Sequence, residues 1–249
     1  MTERSERIYG WHPVKAFLAR HPDRVRSVRI AAGREDPRVR EVESAAARHG
    51  VAVARVGRRE LDRLLGDVAH QGVMAEIAAL PNWTESDLLE ALVRSTDPLL
   101  LLLDGVQDPH NLGACLRTVD ACGALAVVVP KDRAAQLTPA VRKVAAGGAE
   151  STPVVAVTNL ARTLKLLKEA GLWVVGADAA AAQRAQDADL KGPLALVLGA
   201  EGAGLRQLTR DSCDFLVALP QRGTVESLNV SVAAGMLLYE ALRQRQPAR

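Results

Sequence analysis

Leu99-Leu100-Leu101-Leu102-Leu103-Asp104-Gly105-Val106-Gln107-Asp108-Pro109-His110-Asn111-Leu112-Gly113-Ala114-Cys115-Leu116-Arg117-Thr118 decides the fold. Five successive leucines leave no polar position for a wet face, so the strand they predict is buried on both sides, as in a parallel sheet covered by helices. The polar, glycine-containing turn that follows leads into a helix, with Asn111 as its predicted N-cap and Arg117 nearly two turns inside. Working towards the C-terminus, further strands are predicted at 125–129, 154–157, 172–176, 194–198 and 215–219. Helices are expected in most of the intervals, and a last one over 227–244. This rhythm is that of a doubly wound, mainly parallel α/β domain.

Upstream the pattern differs. Residues 7–80 predict helices at 12–20, 36–49 and 58–65, strands at 25–31, 51–56 and 73–78, and a loop around His70-Gln71-Gly72. Pro81-Asn82-Trp83-Thr84-Glu85-Ser86-Asp87 breaks this alternation with turn formers and a helix-start signal. The expected organisation is a small α/β module over 1–80, a linker and first helix over 81–97, and the larger domain over 98–249. No internal repeat or low-complexity tract is present.

Composition sets limits. The 249 residues are 48% hydrophobic and 24% charged, which is ordinary globular usage. The N-terminal stretch is charged and lacks the apolar core of a signal peptide, and the apolar run 99–103 is far below the roughly 20 residues of a membrane span. Cys115, Cys122 and Cys213 show no paired spacing and read as reduced thiols. A cytoplasmic protein without a membrane segment is expected. His12, His21, His49, His70 and His110 have no metal-ligand spacing, so no metal is expected. Residues 1–80 hold 15 Lys/Arg against 11 Asp/Glu, a net +4; the remainder holds 17 against 18, a net −1. Arg20, Arg24, Arg26, Arg29, Arg34, Arg38 and Arg40 suit phosphate, whose oxygens the planar guanidinium meets in pairs, or simply form a solvated surface. With aromatics at 3%, an RNA-stacking platform of the RRM type is excluded.

Polar and glycine residues gather after three predicted strands, where open parallel sheets place their ligands. The first group is quoted above. The second is Gly199-Ala200-Glu201-Gly202-Ala203-Gly204-Leu205, and the third runs from Pro220-Gln221-Arg222-Gly223-Thr224-Val225-Glu226 into Ser227-Leu228-Asn229-Val230-Ser231. Each has an ordinary explanation: a capped helix, a tight turn, a helix start. Neither a G-x-G-x-x-G fingerprint nor a phosphate-cradling G-x-x-x-x-G-K occurs, which counts against a nicotinamide-dependent dehydrogenase.

In this order on one sheet, the groups resemble the three motifs of the SpoU/TrmH family of RNA 2′-O-methyltransferases, within the SPOUT class. The matching residues are Asn111-Leu112-Gly113 with Arg117-Thr118, Leu198-Gly199 with Glu201-Gly202 and Gly204-Leu205, and Leu219-Pro220 with Ser227-Leu228-Asn229-Val230-Ser231. Ile8-Tyr9-Gly10-Trp11-His12-Pro13-Val14 and His70-Gln71-Gly72-Val73 are similar to the two ends of the family's N-terminal substrate-binding module. Trp11-His12-Pro13 departs from the usual pattern, in which a smaller residue and no proline stand there.

The resemblance implies a C-terminal deep trefoil knot, S-adenosylmethionine as cofactor, and a homodimer whose site draws on both subunits. Within the family the likeness is greatest to members that methylate a guanosine in the peptidyl-transferase region of 23S ribosomal RNA. It also implies a catalytic set of Asn111, Arg117, Glu201, Ser227 and Asn229, and cofactor contacts at Gly199, Leu219 and Leu228. In the first module His70 and Gln71 are the expected RNA contacts, joined by Arg117. Arg117 reads as a phosphate clamp and stabiliser of alkoxide charge, because guanidinium does not deprotonate in proteins. The proton acceptor stays open between Glu201, the RNA phosphate and water, and Glu201 reads equally as a structural carboxylate. Another RNA target, including transfer RNA, and a non-catalytic RNA-binding paralogue are the alternatives.

Overall fold

A computed structural model describes residues 5–246 except 34, 67, 81 and 226, so Arg34, Pro81 and Glu226 lie outside the described residues. The charged start of the chain holds a strand absent from the sequence reading, β1 (Ser5–Tyr9). Of its five residues only Ile8 is buried, too little for an alternation signal. There follow α1 (Trp11–Arg20), β2 (Val25–Ala31), α2 (Pro37–Arg48), β3 (Val53–Val56), α3 (Arg58–Leu65) and β4 (Val73–Ala78). These strands form one sheet in the order β1-β4-β2-β3, with β4 antiparallel to both neighbours and β3 parallel to β2. Trp11, Phe17 and Leu18 of α1, with Val39 and Val42 of α2, pack over Val28, Ile30 and Ile77. Leu61 of α3 meets Ala31 and Met74 in a second cluster.

The second sheet begins after α4 (Glu85–Arg94), whose start is a capping box between Thr84 and Asp87. The chain continues through β5 (Leu99–Asp104), α5 (Pro109–Ala121), β6 (Ala126–Pro130), α6 (Pro139–Ala145), β7 (Val154–Val157), α7 (Leu160–Glu169), β8 (Trp173–Ala177), β9 (Leu194–Gly199), α8 (Gln207–Ser212), β10 (Phe215–Val217) and α9 (Val230–Arg245). All five pairings in the order β10-β8-β9-β5-β6-β7 are parallel. Leu99, Leu101 and Leu103 enter the core shared with α5 and α9; Leu100 and Leu102 enter the one shared with α4 and α7. Both faces of β5 are therefore dry, which accounts for its uninterrupted leucines.

Between β8 and β9 stands only a 3₁₀ turn, Ala185–Asp187, so this interval is one without an α-helix. Two expectations need correction. The last helix starts at Val230 rather than 227, because Asn229 caps it by accepting from Ser231 N. Asn111 does not cap α5: Asp108 does, accepting from His110 N at 2.9 Å with Pro109 in the first turn. Burial pushes the Cys115 thiol up to about 12, and burial foremost also pushes Cys213 to about 12, so neither is a thiolate near neutral pH.

The two sheets meet where α1 lies against the 3₁₀ turn Gly148–Glu150. Arg20 pairs with Asp120 at 3.1 Å, the His21 ring lies 2.9 Å from the Glu150 carbonyl oxygen, and Arg142 stands between Glu150 (3.1 Å) and Glu6 (3.8 Å). Burial raises the Glu150 carboxyl above its ordinary range despite the Arg142 guanidinium beside it.

Candidate active site

The strand order reverses between β5 and β9, since β6 and β7 extend one side of β5 while β9, β8 and β10 extend the other. A crevice opens at the carboxyl ends of strands at such a point. Asp104 and Gly199 face each other there in register. Beyond Gly199 the chain doubles back, with Gly204 N donating to Ala200 O at 2.9 Å. The fold-back is so tight that a Cβ on Gly199 would fall 2.0 Å from the Gly204 carbonyl. Gly199 is thus required by the loop's own backbone.

That loop forms one wall of a pocket of about 360 Å³. Gly199, Glu201, Leu219, Ser227 and Leu228 all line it, so five of the residues expected from sequence come together. Leu198, Ala177, Val217 and Ala233 add apolar surface, while Glu201 and Ser227 are exposed at its mouth. Asn111 and Asn229 do not line the pocket but hold its floor. Asn229 Nδ2 donates to Asn111 Oδ1 at 2.9 Å, and Asn229 Oδ1 accepts from Ser231 N and Oγ. This bridge ties the start of α5 to the start of α9. Gly113 serves a different contact, of α5 against α6, because a Cβ there would lie 2.6 Å from Val144 Cβ and 2.8 Å from the Val141 carbonyl oxygen.

Arg117 is exposed on α5, outside the pocket lining, and its guanidinium has no hydrogen-bond or ion-pair partner among the described residues. In the first module His70 and Gln71 part company. His70 is only 2% exposed; its Nε2 lies 2.9 Å from Asp62 Oδ1, and its Nδ1 accepts from Gly72 N at 3.0 Å. The ring is therefore Nε2-protonated and buried, which corrects its expected place on an RNA-facing surface. It braces a turn whose two central residues, Gln71 and Gly72, have φ of 58° and 80°. Gln71 is left exposed at the tip, its Oε1 accepting from Trp11 N at 3.4 Å. The two sequence ends matched above meet here, since Gly10 N also donates to Val73 O. Of the arginines, Arg24 donates to Ala79 O, Arg29 pairs with Glu76 and Arg20 with Asp120, whereas Arg38 and Arg40 are exposed.

Four residues of the site escaped the sequence reading. Asp104, buried at the tip of β5, accepts from Arg206 N at 3.0 Å and lies 3.6 Å from its guanidinium, fixing the far end of the 199–206 loop. Gln221 lines the pocket with a buried Oε1 that has no hydrogen-bond partner among the described residues. Both stood within the polar groups quoted above, but nothing local marked them off from their neighbours. Asp178 and Arg210, an ion pair on the pocket wall, carried no sequence signal. No group of three or more His, Cys, Asp or Glu side chains among the described residues could hold a metal, and no helix among them is long and apolar enough to cross a membrane.

A parallel α/β domain with a glycine-walled pocket at its strand reversal thus follows a small mixed-sheet module. The model of the SpoU rRNA Methylase family matches residues 98–239, and the model described as RNA 2′-O ribose methyltransferase substrate binding matches 7–83. The chain belongs to the SpoU rRNA methylase family. It is 56% identical over 245 residues, 98% of each chain, to the 23S rRNA (guanosine-2′-O-)-methyltransferase RlmB of Pseudomonas putida. To RlmB of Escherichia coli it is 48% identical over 241 residues, 97% of this chain and 99% of that one. Among solved structures, the SpoU methyltransferase AviRb from Streptomyces viridochromogenes in complex with AdoMet matches with a TM-score of 0.76 and 26% identity, over 96% of this chain and 90% of that one.

Proposed function

We propose that this chain transfers a methyl group from S-adenosylmethionine to the ribose 2′-hydroxyl of a guanosine in 23S ribosomal RNA. The observation that carries this is near-full-length identity of 48–56% to enzymes of that activity, across both modules rather than the methylase domain alone. A peptidyl-transferase-region guanosine is the target we favour. Retention of Arg117, Glu201 and Asn229 argues against a non-catalytic paralogue, and the missing glycine fingerprint against a dehydrogenase.

The pocket fits the cofactor. Leu198, Leu219, Leu228 and Ala233 offer apolar surface to a purine, the close-packed backbone at Gly199 brings main-chain groups to the wall, and Gln221 Oε1 is a buried acceptor awaiting a donor. Bound S-adenosylmethionine supplies an electrophilic methyl group. The chain's own work is to hold the ribose hydroxyl in line and ease its deprotonation. We assign Gly199, Leu219 and Leu228 to cofactor contact, Ser227 and the Asn111–Asn229 bridge to loop placement, and Arg117 to the RNA phosphate and the developing alkoxide. Glu201 at the pocket mouth, the phosphate or water takes the proton.

Arg117 lies outside the pocket of its own chain, which supports a homodimer in which it serves the partner's pocket. A second support is the apolar stripe Val232, Met236 and Tyr239 along α9, 51%, 43% and 63% exposed. The convergence of the loops after β9 and β10 with the start of α9 supports a trefoil knot. Residues 1–80 are then the RNA-binding module, 81–97 the linker and first helix, and 98–249 the methyltransferase domain, in a cytoplasmic enzyme that needs no metal. Incubation with 23S rRNA transcript and S-adenosylmethionine carrying a labelled methyl tests the reading: label is expected in 2′-O-methylguanosine. Label on a base, or none with a pocket that still binds cofactor, would refute it.

A further inference from the structure

A second concave region lies between the two modules, away from the pocket just described. One cavity of about 330 Å³ takes His21 and Arg24 from the first module and Arg142, Ser151 and Thr152 from the second. A wider one, about 670 Å³, extends it over the carboxyl ends of β6 and β7, to Lys131, Gln136 and Asn159. The two share Asn82, Trp83, Leu137 and Val154, so they form one groove pivoting on the linker tryptophan.

Its chemistry is specific. Trp83 is half-buried immediately before the Thr84 cap, and it joins Leu88 in the same core cluster, the arrangement of a hydrophobic staple. The ring is therefore pre-ordered at the start of α4 while still lining both cavities. Amides and hydroxyls at Asn82, Gln136, Asn159, Ser151 and Thr152 surround it. Both acids that line the groove face a cation: Glu85 is held by Arg162 and Thr163, and Glu150 Oε1 accepts from Arg142. The Lys131 ammonium has no partner among the described residues. A rigid aromatic ring, amide groups and uncompensated positive charge suit single-stranded RNA, whose bases stack on such rings and whose phosphates seek such cations. The low aromatic content excludes a multi-base platform but not one stacking point.

The groove also lies on the substrate's side of the sheet. The Lys131–Gln136 loop is bonded to the loop that leads into α5, Ala135 N donating to Val106 O at 2.8 Å. Both loops leave the carboxyl ends of strands, as the cofactor pocket does.

We infer that this inter-module groove holds a single-stranded stretch of the RNA substrate, one base against Trp83 and a phosphate at Lys131, outside the nucleotide being methylated. This rests on the methyltransferase reading and adds a contact made jointly by the linker and the second domain.

The test uses the full-length protein and 23S rRNA transcript, with binding read over a salt series. Trp83→Leu keeps an apolar staple but removes the ring, and RNA affinity should fall roughly tenfold. Lys131→Glu should weaken binding to a similar extent and lower the salt slope by about one. Lys191→Glu, before β9 at the opposite end of the sheet, makes the same charge change and should alter neither much. S-adenosylmethionine affinity should be unchanged in all three. If Trp83→Leu unfolds, Lys131→Glu against Lys191→Glu still decides. Wild-type affinity in Lys131→Glu, or an equal loss in Lys191→Glu, overturns the groove while wild-type methyl transfer continues. Absence of methyl transfer by the wild type would instead overturn the parent reading.

Discussion

Arg117 is exposed on α5, and its guanidinium has no hydrogen-bond or ion-pair partner among the described residues. The role proposed for this guanidinium is to meet the RNA phosphate and the developing alkoxide. Arg117→Ala should cut turnover by about 10²–10³ with S-adenosylmethionine affinity nearly unchanged, and Lys should rescue poorly for want of the planar fork. Steady-state kinetics beside calorimetry reads both, and near-normal turnover in the Ala variant would remove Arg117 from the chemistry. Asp104 is the opposite case, a buried carboxylate whose Oδ2 accepts from Arg206 N and whose Oδ1 lies 3.6 Å from the Arg206 guanidinium. Asp104→Ala strands the Arg206 N–H and should cost about 1–3 kcal/mol of stability while weakening cofactor binding, whereas Asp104→Asn retains an acceptor and should keep most of both. Thermal melts with cofactor titration separate the two variants. Unaltered cofactor affinity in the Ala variant would mean that the loop holds its shape without Asp104.

At the scale of elements, the sequence spoke most clearly where a segment's environment was uniform. The leucines of β5 are dry on both faces, and their reading needed no partner. β1 was invisible because one buried residue in five cannot display a period, and its existence depends on pairing with β4 some 70 residues away. His70 looked like a surface loop residue because the Asp62 that draws it inward lies in another element. The same limit hid Asp104 and Gln221, whose roles follow from where β9 and β10 deliver their loops. Gly199 was legible as a motif position, but its reason was not: its missing Cβ makes room for the chain's own Gly204 as well as for any ligand. Gly199→Val should therefore spring the 199–205 loop and abolish cofactor binding while the sheet survives, as circular dichroism and calorimetry would show. Normal cofactor binding by that variant would put the pocket elsewhere.

For the whole molecule, charge and site are divided between two modules. The first carries net +4, and every residue of the proposed pocket lies beyond residue 170. A chain beginning at Asn82 should stay folded and bind S-adenosylmethionine, since its two cores are intact without the first module. It should lose most RNA affinity, and its salt slope should be shallower by roughly 0.7–0.9 for each phosphate contact removed. If truncation lowers only thermal stability and leaves RNA binding and its slope intact, the first module is a buttress, tied on by Arg20–Asp120 and Arg142–Glu6, and not a substrate-binding unit.

The central claim is a single chemical event at a single class of site, and the most direct measurement is a map of ribose 2′-O-methylation across ribosomal and transfer RNA in cells with and without this protein. The account predicts that one guanosine in 23S rRNA loses its 2′-O-methyl group when the protein is absent and regains it when the wild-type chain, but not Arg117→Ala, is restored. An unchanged 23S map, or a loss confined to transfer RNA, would contradict it.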